Sequence, residues 1–228
     1  MKNLRGRTVL LTGASTGIGP HIATRLHDEG ASLVLSARHA DALERVALEL
    51  DPARVVVADL TRRDEVERLA DAAGEIDVLV ANAGIPASGE LVSFSVDQID
   101  RAIDVNLRSA MILANRLVPR MLARKSGHVV LIASMHSKMP AALVSVYNAT
   151  KFGLRGFGLA LRQELRGTEV GVSVINRPGT STSRRGTFGC CLLRMPPGRP
   201  LPRSRTRAPR ESVRAVARDR ANGPSVRA

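Results

Sequence analysis

Short runs rich in Val, Ile and Leu, four to six residues long, alternate along this chain with longer amphipathic stretches, and that alternation restricts the possible folds most. The runs fall at 8–12, 32–36, 55–58, 76–81, 128–133 and 171–175. Their apolar side chains occupy successive positions, so such strands need cover on both faces. The stretches between them, at 18–29, 41–50, 63–72, 96–123 and 146–166, space their apolar residues as one-sided helices do. Strands and helices alternating at this length predict a Rossmann-type, doubly wound parallel sheet of the α/β class, with right-handed crossovers and helices on both faces. Six strands are readable, and a seventh is not.

The regularity stops near Pro178 and Gly179. Residues 180–228 hold six of the twelve prolines, and only seven of these 49 residues are Leu, Val, Ile or Phe. So few large apolar residues cannot build a core. The reading is therefore a domain over 1–179 and an Arg/Pro-rich tail over 180–228, expected to be disordered apart from a short helix around 212–218. The tail also locates the charge. It carries twelve arginines against Glu211 and Asp219, a net +10 of the chain's +13, and residues 1–179 carry only +3. No aromatic platform or recognition motif accompanies these arginines, so nucleic acid is not the expected partner. Two origins fit the tail's composition: an out-of-frame translation of GC-rich DNA, or a native basic extension.

No apolar run approaches the roughly 18–20 residues of a membrane helix. The first run is cut by Thr12 and Gly13 and reads as a buried strand rather than a leader. Cys190 and Cys191 are adjacent and cannot make a disulfide framework, which suits a cytoplasmic protein. No metal site is expected.

The first strand runs into Thr12-Gly13-Ala14-Ser15-Thr16-Gly17-Ile18-Gly19 and then a helix. Glycines permit a tight turn and a close backbone approach to a pyrophosphate, and a helix N-terminus offers free N–H groups. Pro20 falls in the first helical turn, where its missing N–H does no harm. The second strand ends at Arg38 with no acid for a ribose 2′-hydroxyl, and its guanidinium suits a 2′-phosphate; a solvated loop arginine is the alternative. Asp59 and Leu60 follow the third strand, where the carboxylate can meet an adenine amino group. Asn82, Ala83 and Gly84 follow the fourth, where a small turn leaves room for the adenosine ribose. Each of these is otherwise an Asx-type turn or cap.

The fifth strand ends at Ser134. Thirteen residues later the chain's single tyrosine, Tyr147, precedes Lys151 by four positions, so both share one helix face. A phenol is a poor acid–base group at neutral pH, and a neighbouring ammonium favours its ionised form.

In their order, TGASTGIG (12–19), Asp59-Leu60, Asn82-Ala83-Gly84, Asn106, Ser134, Tyr147-x-x-x-Lys151 and Pro178-Gly179 resemble the short-chain dehydrogenase/reductase family over about residues 5–179. The resemblance implies an oxidoreductase moving a hydride between NADP(H) and a small carbonyl or alcohol substrate. Tyr147 would exchange the proton with the substrate oxygen and Ser134 would hydrogen-bond that oxygen. Lys151 would hold the nicotinamide ribose, and Asn106 would anchor a water linking Lys151 to solvent. The cofactor would contact Gly13, Ser15, Thr16, Gly17, Ile18, Gly19, Arg38, Asp59, Leu60, Asn82, Ala83, Gly84, Tyr147, Lys151, Pro178 and Gly179. The family also implies a homo-oligomer, formed through the helices around 96–123 and 146–166. Two departures stand out. Ala81 replaces a frequent asparagine. After Pro178-Gly179 the family continues with a nicotinamide-contacting threonine, a lid, a helix and a last strand, whereas this chain continues Thr180-Ser181-Thr182-Ser183-Arg184-Arg185, leaving Thr182 or Ser183 to reach the nicotinamide. The alternative function is a cofactor-binding but catalytically impaired member.

Overall fold

The first apolar run becomes β1 (Thr8–Thr12), and the next five become β2 (Ser32–Ala37), β3 (Ala53–Val57), β4 (Val78–Ala81), β5 (Gly127–Ser134) and β6 (Val170–Arg177). A computed structural model describes residues 4–50 and 52–177; Pro178, Gly179, Thr182, Ser183, the two cysteines and the expected tail lie outside the described residues. All described strand pairs are parallel, in the order β3-β2-β1-β4-β5-β6. From β1 the chain builds outward to β3 and then returns to lay β4 on the other side of β1. That reversal opens a crevice above the carboxyl ends of β1 and β4.

The helices α1 (Gly19–Asp28) and α2 (Ala40–Leu48) cover one face, and α3 (Arg63–Ala72), α5 (Ser109–Ala123) and α6 (Ser145–Glu164) cover the other. The strand pleat divides the core accordingly. Leu10 packs with Leu69, Leu113 and Leu154, whereas Val9 and Leu11 pack with Ala23 and Leu43. On α5 the stripe Leu113, Leu117 and Met121 is at most 1% exposed. Truncating one such leucine to alanine costs about 2–5 kcal/mol. Helix α6 lies close to the sheet at Gly158, where a Cβ would come within 2.5 Å of Val174 and 2.7 Å of Leu131.

Several expected elements differ in their bounds. The third strand occupies 53–57 rather than 55–58, and the fourth starts at Val78 rather than at 76. Ile76 is 1% exposed and fills the core before the strand begins, so its burial mimics a strand position. Asp77 then caps the neighbouring strand, its Oδ2 accepting from the Thr8 N–H at 2.9 Å. The largest difference concerns the single helix expected over 96–123. It is α4 (Val96–Ile103), a turn of π-helix (Asp104–Arg108) and then α5. A π turn keeps the backbone helical and hydrogen-bonded while inserting one residue, so the apolar period barely registers it.

Candidate active site

The turn after β1 needs glycine for two reasons. Gly13 has φ +65°, and a Cβ there would approach Ala83 Cα to 2.7 Å. At Gly19 a Cβ would collide with the Gly13 carbonyl oxygen. The turn is braced from outside. Asn82 Nδ2 donates to the carbonyl oxygens of Thr12 and Gly13, both at 3.1 Å. The backbone N–H groups of Asn82 and Ala83 both donate to Thr12 Oγ1 at 3.2 Å. The Ala14 N–H donates to the Ser36 carbonyl at 3.1 Å. No side chain caps α1, its first turn carries no acid, and Pro20 stands within that turn. An open, positive helix end behind a glycine cradle fits a pyrophosphate.

Arg38, past β2, is exposed and acts electrostatically on Asp59. Asp59 forms the Asx-type turn considered above, its Oδ1 accepting from the Thr61 N–H at 3.0 Å and from Thr61 Oγ1 at 2.9 Å. Burial pushes its carboxyl up, but those hydrogen bonds, with the Arg38 and Arg101 charges, hold it below the usual carboxylate range. Leu60 is 7% exposed, its side chain spent on the core. Asn82 is engaged with the turn, and Gly84 runs beside Asn106 and Lys151: a Cβ there would lie 3.3 Å from Asn106 Oδ1 and 3.4 Å from Lys151 Nζ.

Tyr147 and Lys151 project from the first two turns of α6. Lys151 is 4% exposed, donates to the Ile132 carbonyl at 3.1 Å and holds its Nζ over the Tyr147 ring, 5.8 Å from the centroid. Burial, aided by the charge of Arg177, lowers its pKa to about 8. Asn106, in the π turn and 1% exposed, holds the backbone beyond β4. Its Oδ1 accepts from the Ile85 N–H at 2.7 Å, and its Nδ2 donates to the Ile85 carbonyl at 3.0 Å and to Thr150 Oγ1 at 3.2 Å. Thr150 Oγ1 in turn donates to the Tyr147 carbonyl at 2.8 Å. Ser134, 6% exposed, ends β5 and accepts from the His136 N–H at 3.2 Å.

These groups converge on one cleft of about 320 Å³. Gly13, Thr16, Gly17, Ile18, Asn82, Ala83 and Gly84 line it together with Ser134, Tyr147 and Lys151. Gly19, Ser15, Arg38, Asp59, Leu60 and Asn106 stand outside this lining. His136 and Arg177 also line the cleft, and sequence reasoning missed both. Each sits within two residues of a motif, at the end of β5 and before Pro178, so position at a strand's carboxyl end was the available signal. Among the described residues no helix is long and apolar enough to cross a membrane.

The profile of the short chain dehydrogenase family matches residues 7–188. An uncharacterized oxidoreductase of Staphylococcus aureus strain MRSA252 is 35% identical over 194 residues, covering 82% of this chain and 84% of that protein. Among solved structures, a metagenomic short-chain oxidoreductase in complex with NADP is 36% identical with a TM-score of 0.72, covering 78% of this chain and 84% of the other. The closed form of a serine dehydrogenase complexed with NADP+ is 31% identical with a TM-score of 0.71, covering 75% and 71%.

Proposed function

The chain belongs to the short-chain dehydrogenase/reductase family, and on that premise we propose that it transfers a hydride between NADP(H) and a carbonyl/alcohol pair, with Tyr147 as general acid and base. Membership makes it an NAD(P)-dependent oxidoreductase. The observation that carries the finer reading is one cleft lined both by residues of the glycine turn and by Ser134, Tyr147 and Lys151. Residues 1–179 form the oxidoreductase domain in this reading.

The open end of α1 and the Gly13–Gly19 turn would hold the pyrophosphate, and Lys151 the nicotinamide ribose. When bound, the cofactor supplies or takes up the hydride at the substrate carbon. In the reducing direction, Tyr147 Oη gives its proton to the substrate oxygen as that oxygen gains negative charge, and Ser134 Oγ donates a hydrogen bond to the same atom. A lysine held at about 8 exchanges protons readily near neutral pH and can restore the Tyr147 proton. Asn106 belongs to this relay, since its Oδ1 and Lys151 Nζ flank the same glycine. The lack of an acid at the end of β2, the exposed Arg38 and the NADP bound in two related structures support NADP(H) over NAD(H). Exposed Ile103, Met111 and Phe152, on and beside the two long helical stretches, support a homo-oligomer.

NADPH oxidation against a panel of aldehydes and ketones tests the reading. Tyr147→Phe is expected to lower turnover by more than about a hundredfold while leaving NADPH affinity nearly unchanged. Retention of most activity in that variant sinks the mechanism.

A further inference from the structure

A serine hydroxyl has one proton to give and two lone pairs to fill. Ser134 Oγ accepts from the His136 N–H at 3.2 Å, and His136 Nδ1 lies 3.4 Å from the same oxygen. That imidazole is held in place. It stands on a 3₁₀ turn (Met135–Ser137) whose Ser137 is 0% exposed and donates to Asn176 Oδ1 on β6 at 2.6 Å. Its ring meets the Tyr147 ring edge-on, with centroids 5.9 Å apart at 76°. His136 therefore shares the cleft wall with the two groups assigned to the substrate oxygen.

The proton count on Ser134 depends on the histidine tautomer. A bare Nδ1 would take the Ser134 proton, leaving only lone pairs toward a substrate oxygen that is gaining negative charge. An Nδ1 that carries hydrogen fills the second lone pair instead, and the serine proton must then point outward. We propose that His136 is a positioning residue that keeps its proton on Nδ1 and so holds the Ser134 hydroxyl as a donor to the substrate oxygen. The inference rests on the reading of Ser134 and Tyr147 given above. Its hydrogen-bond balance holds in both reaction directions, because both pass through the same transition state, in which the substrate oxygen carries partial negative charge.

Two measurements on the full chain decide it. Side-chain ¹⁵N–¹H correlation spectra at pH 8 read the tautomer directly, with the His136→Asn spectrum picking its signal from the five histidines. A protonated Nδ1 is expected, and a bare Nδ1 overturns the proposal whether or not a substrate is in hand. Kinetics with the carbonyl that the enzyme reduces fastest supply the second. His136→Phe keeps a ring against Tyr147 but removes the donor, and should lower kcat about tenfold with the NADPH KM unchanged. His136→Asn, whose amide N–H reaches the same spot, should stay within about threefold of wild type. His136→Asp offers an acceptor there and should fall below His136→Phe. Full activity in His136→Phe, or equal rates for the Asn and Asp variants, overturns the proposal. Tyr147→Phe run beside them separates the two readings. If it is inactive while His136→Phe is fully active, only the His136 inference falls; if it is active, the assigned mechanism falls as well.

Discussion

Lys151 carries its charge in a poor place for one. It is 4% exposed with one hydrogen bond among the described residues, to the Ile132 carbonyl, and burial, with Arg177 nearby, lowers its pKa from 10.5 to about 8. Below about pH 8 the folded and unfolded chains both hold the ammonium, and the folded chain bears the whole burial penalty. Between 8 and 10.5 only the unfolded chain still holds it, so the penalty fades as pH rises. Lys151→Met should therefore stabilise the free protein by about 1–3 kcal/mol at pH 7, the lost Ile132 bond limiting the gain. Urea midpoints should show that advantage shrinking as pH climbs toward 10.5. Activity should be lost in the same variant, so stability and function oppose each other at this residue. Arg38 is the other informative side chain. Exposed, and acting on Asp59 through its charge, it has a guanidinium to give to a 2′-phosphate. Arg38→Ala should weaken NADPH by about 1–3 kcal/mol and leave NADH unaffected, as read by fluorescence titration. Equal starting affinities for the two cofactors would refute the assignment.

At the scale of elements, the π turn at Asp104–Arg108 matters most. It turns Asn106 inward, where the amide serves the Ile85 N–H and C=O as a neighbouring strand would. β4 ends at Ala81, and in the segment after it Thr12 Oγ1 takes the N–H groups of Asn82 and Ala83 while Asn106 takes the N–H and C=O of Ile85, so two side chains hold this part of the cleft wall. Asn106→Leu keeps the branched shape and removes both bonds to Ile85 as well as the one to Thr150. It should cost about 1–3 kcal/mol in denaturant unfolding, because two half-buried backbone groups lose their partner. NADPH should also bind more weakly, since Gly84 beside Asn106 lines the cleft. Unchanged stability would mean that the segment finds its partners elsewhere. The same short connection also braces the phosphate turn through Asn82. Residues 82–85 thus couple the two halves of the site mechanically.

For the molecule as a whole, the order of the strands does the assembling. Because β4 returns to lie beside β1, a turn from the first strand meets a turn from the fourth, and β5 brings Ser134 alongside. Large apolar residues also remain outside the core. Ile103 and Met111, eight positions apart on the α4–α5 stretch, are 39% and 41% exposed, and Phe152 on α6 is 40% exposed. A second copy of the chain covering these helices would account for them. The double variant Met111→Asp and Phe152→Asp should sediment as a smaller species than wild type at equal concentration. If the two sediment alike, those helices are not the interface.

The fold class was legible in the sequence because strand and helix periodicities are local, and six two-faced apolar runs separated by one-sided helices admit few arrangements. The glycine turn, Ser134, Tyr147 and Lys151 were legible for the same reason, as local signatures at strand ends and one helical turn apart. Their company was not. Asp59 and Leu60 look alike in sequence as neighbours of a strand end, yet one closes a turn with Thr61 and the other fills the core. The π turn inside an unbroken helical pattern, the clasp of Asn106 on Ile85 and the contact of His136 with Ser134 and Tyr147 join residues that no periodicity relates. The depressed pKa of Lys151 has the same origin. Desolvation depends on which strands and helices close over a side chain, and that was decided only when β4 crossed back to β1 and α6 settled onto β5 and β6.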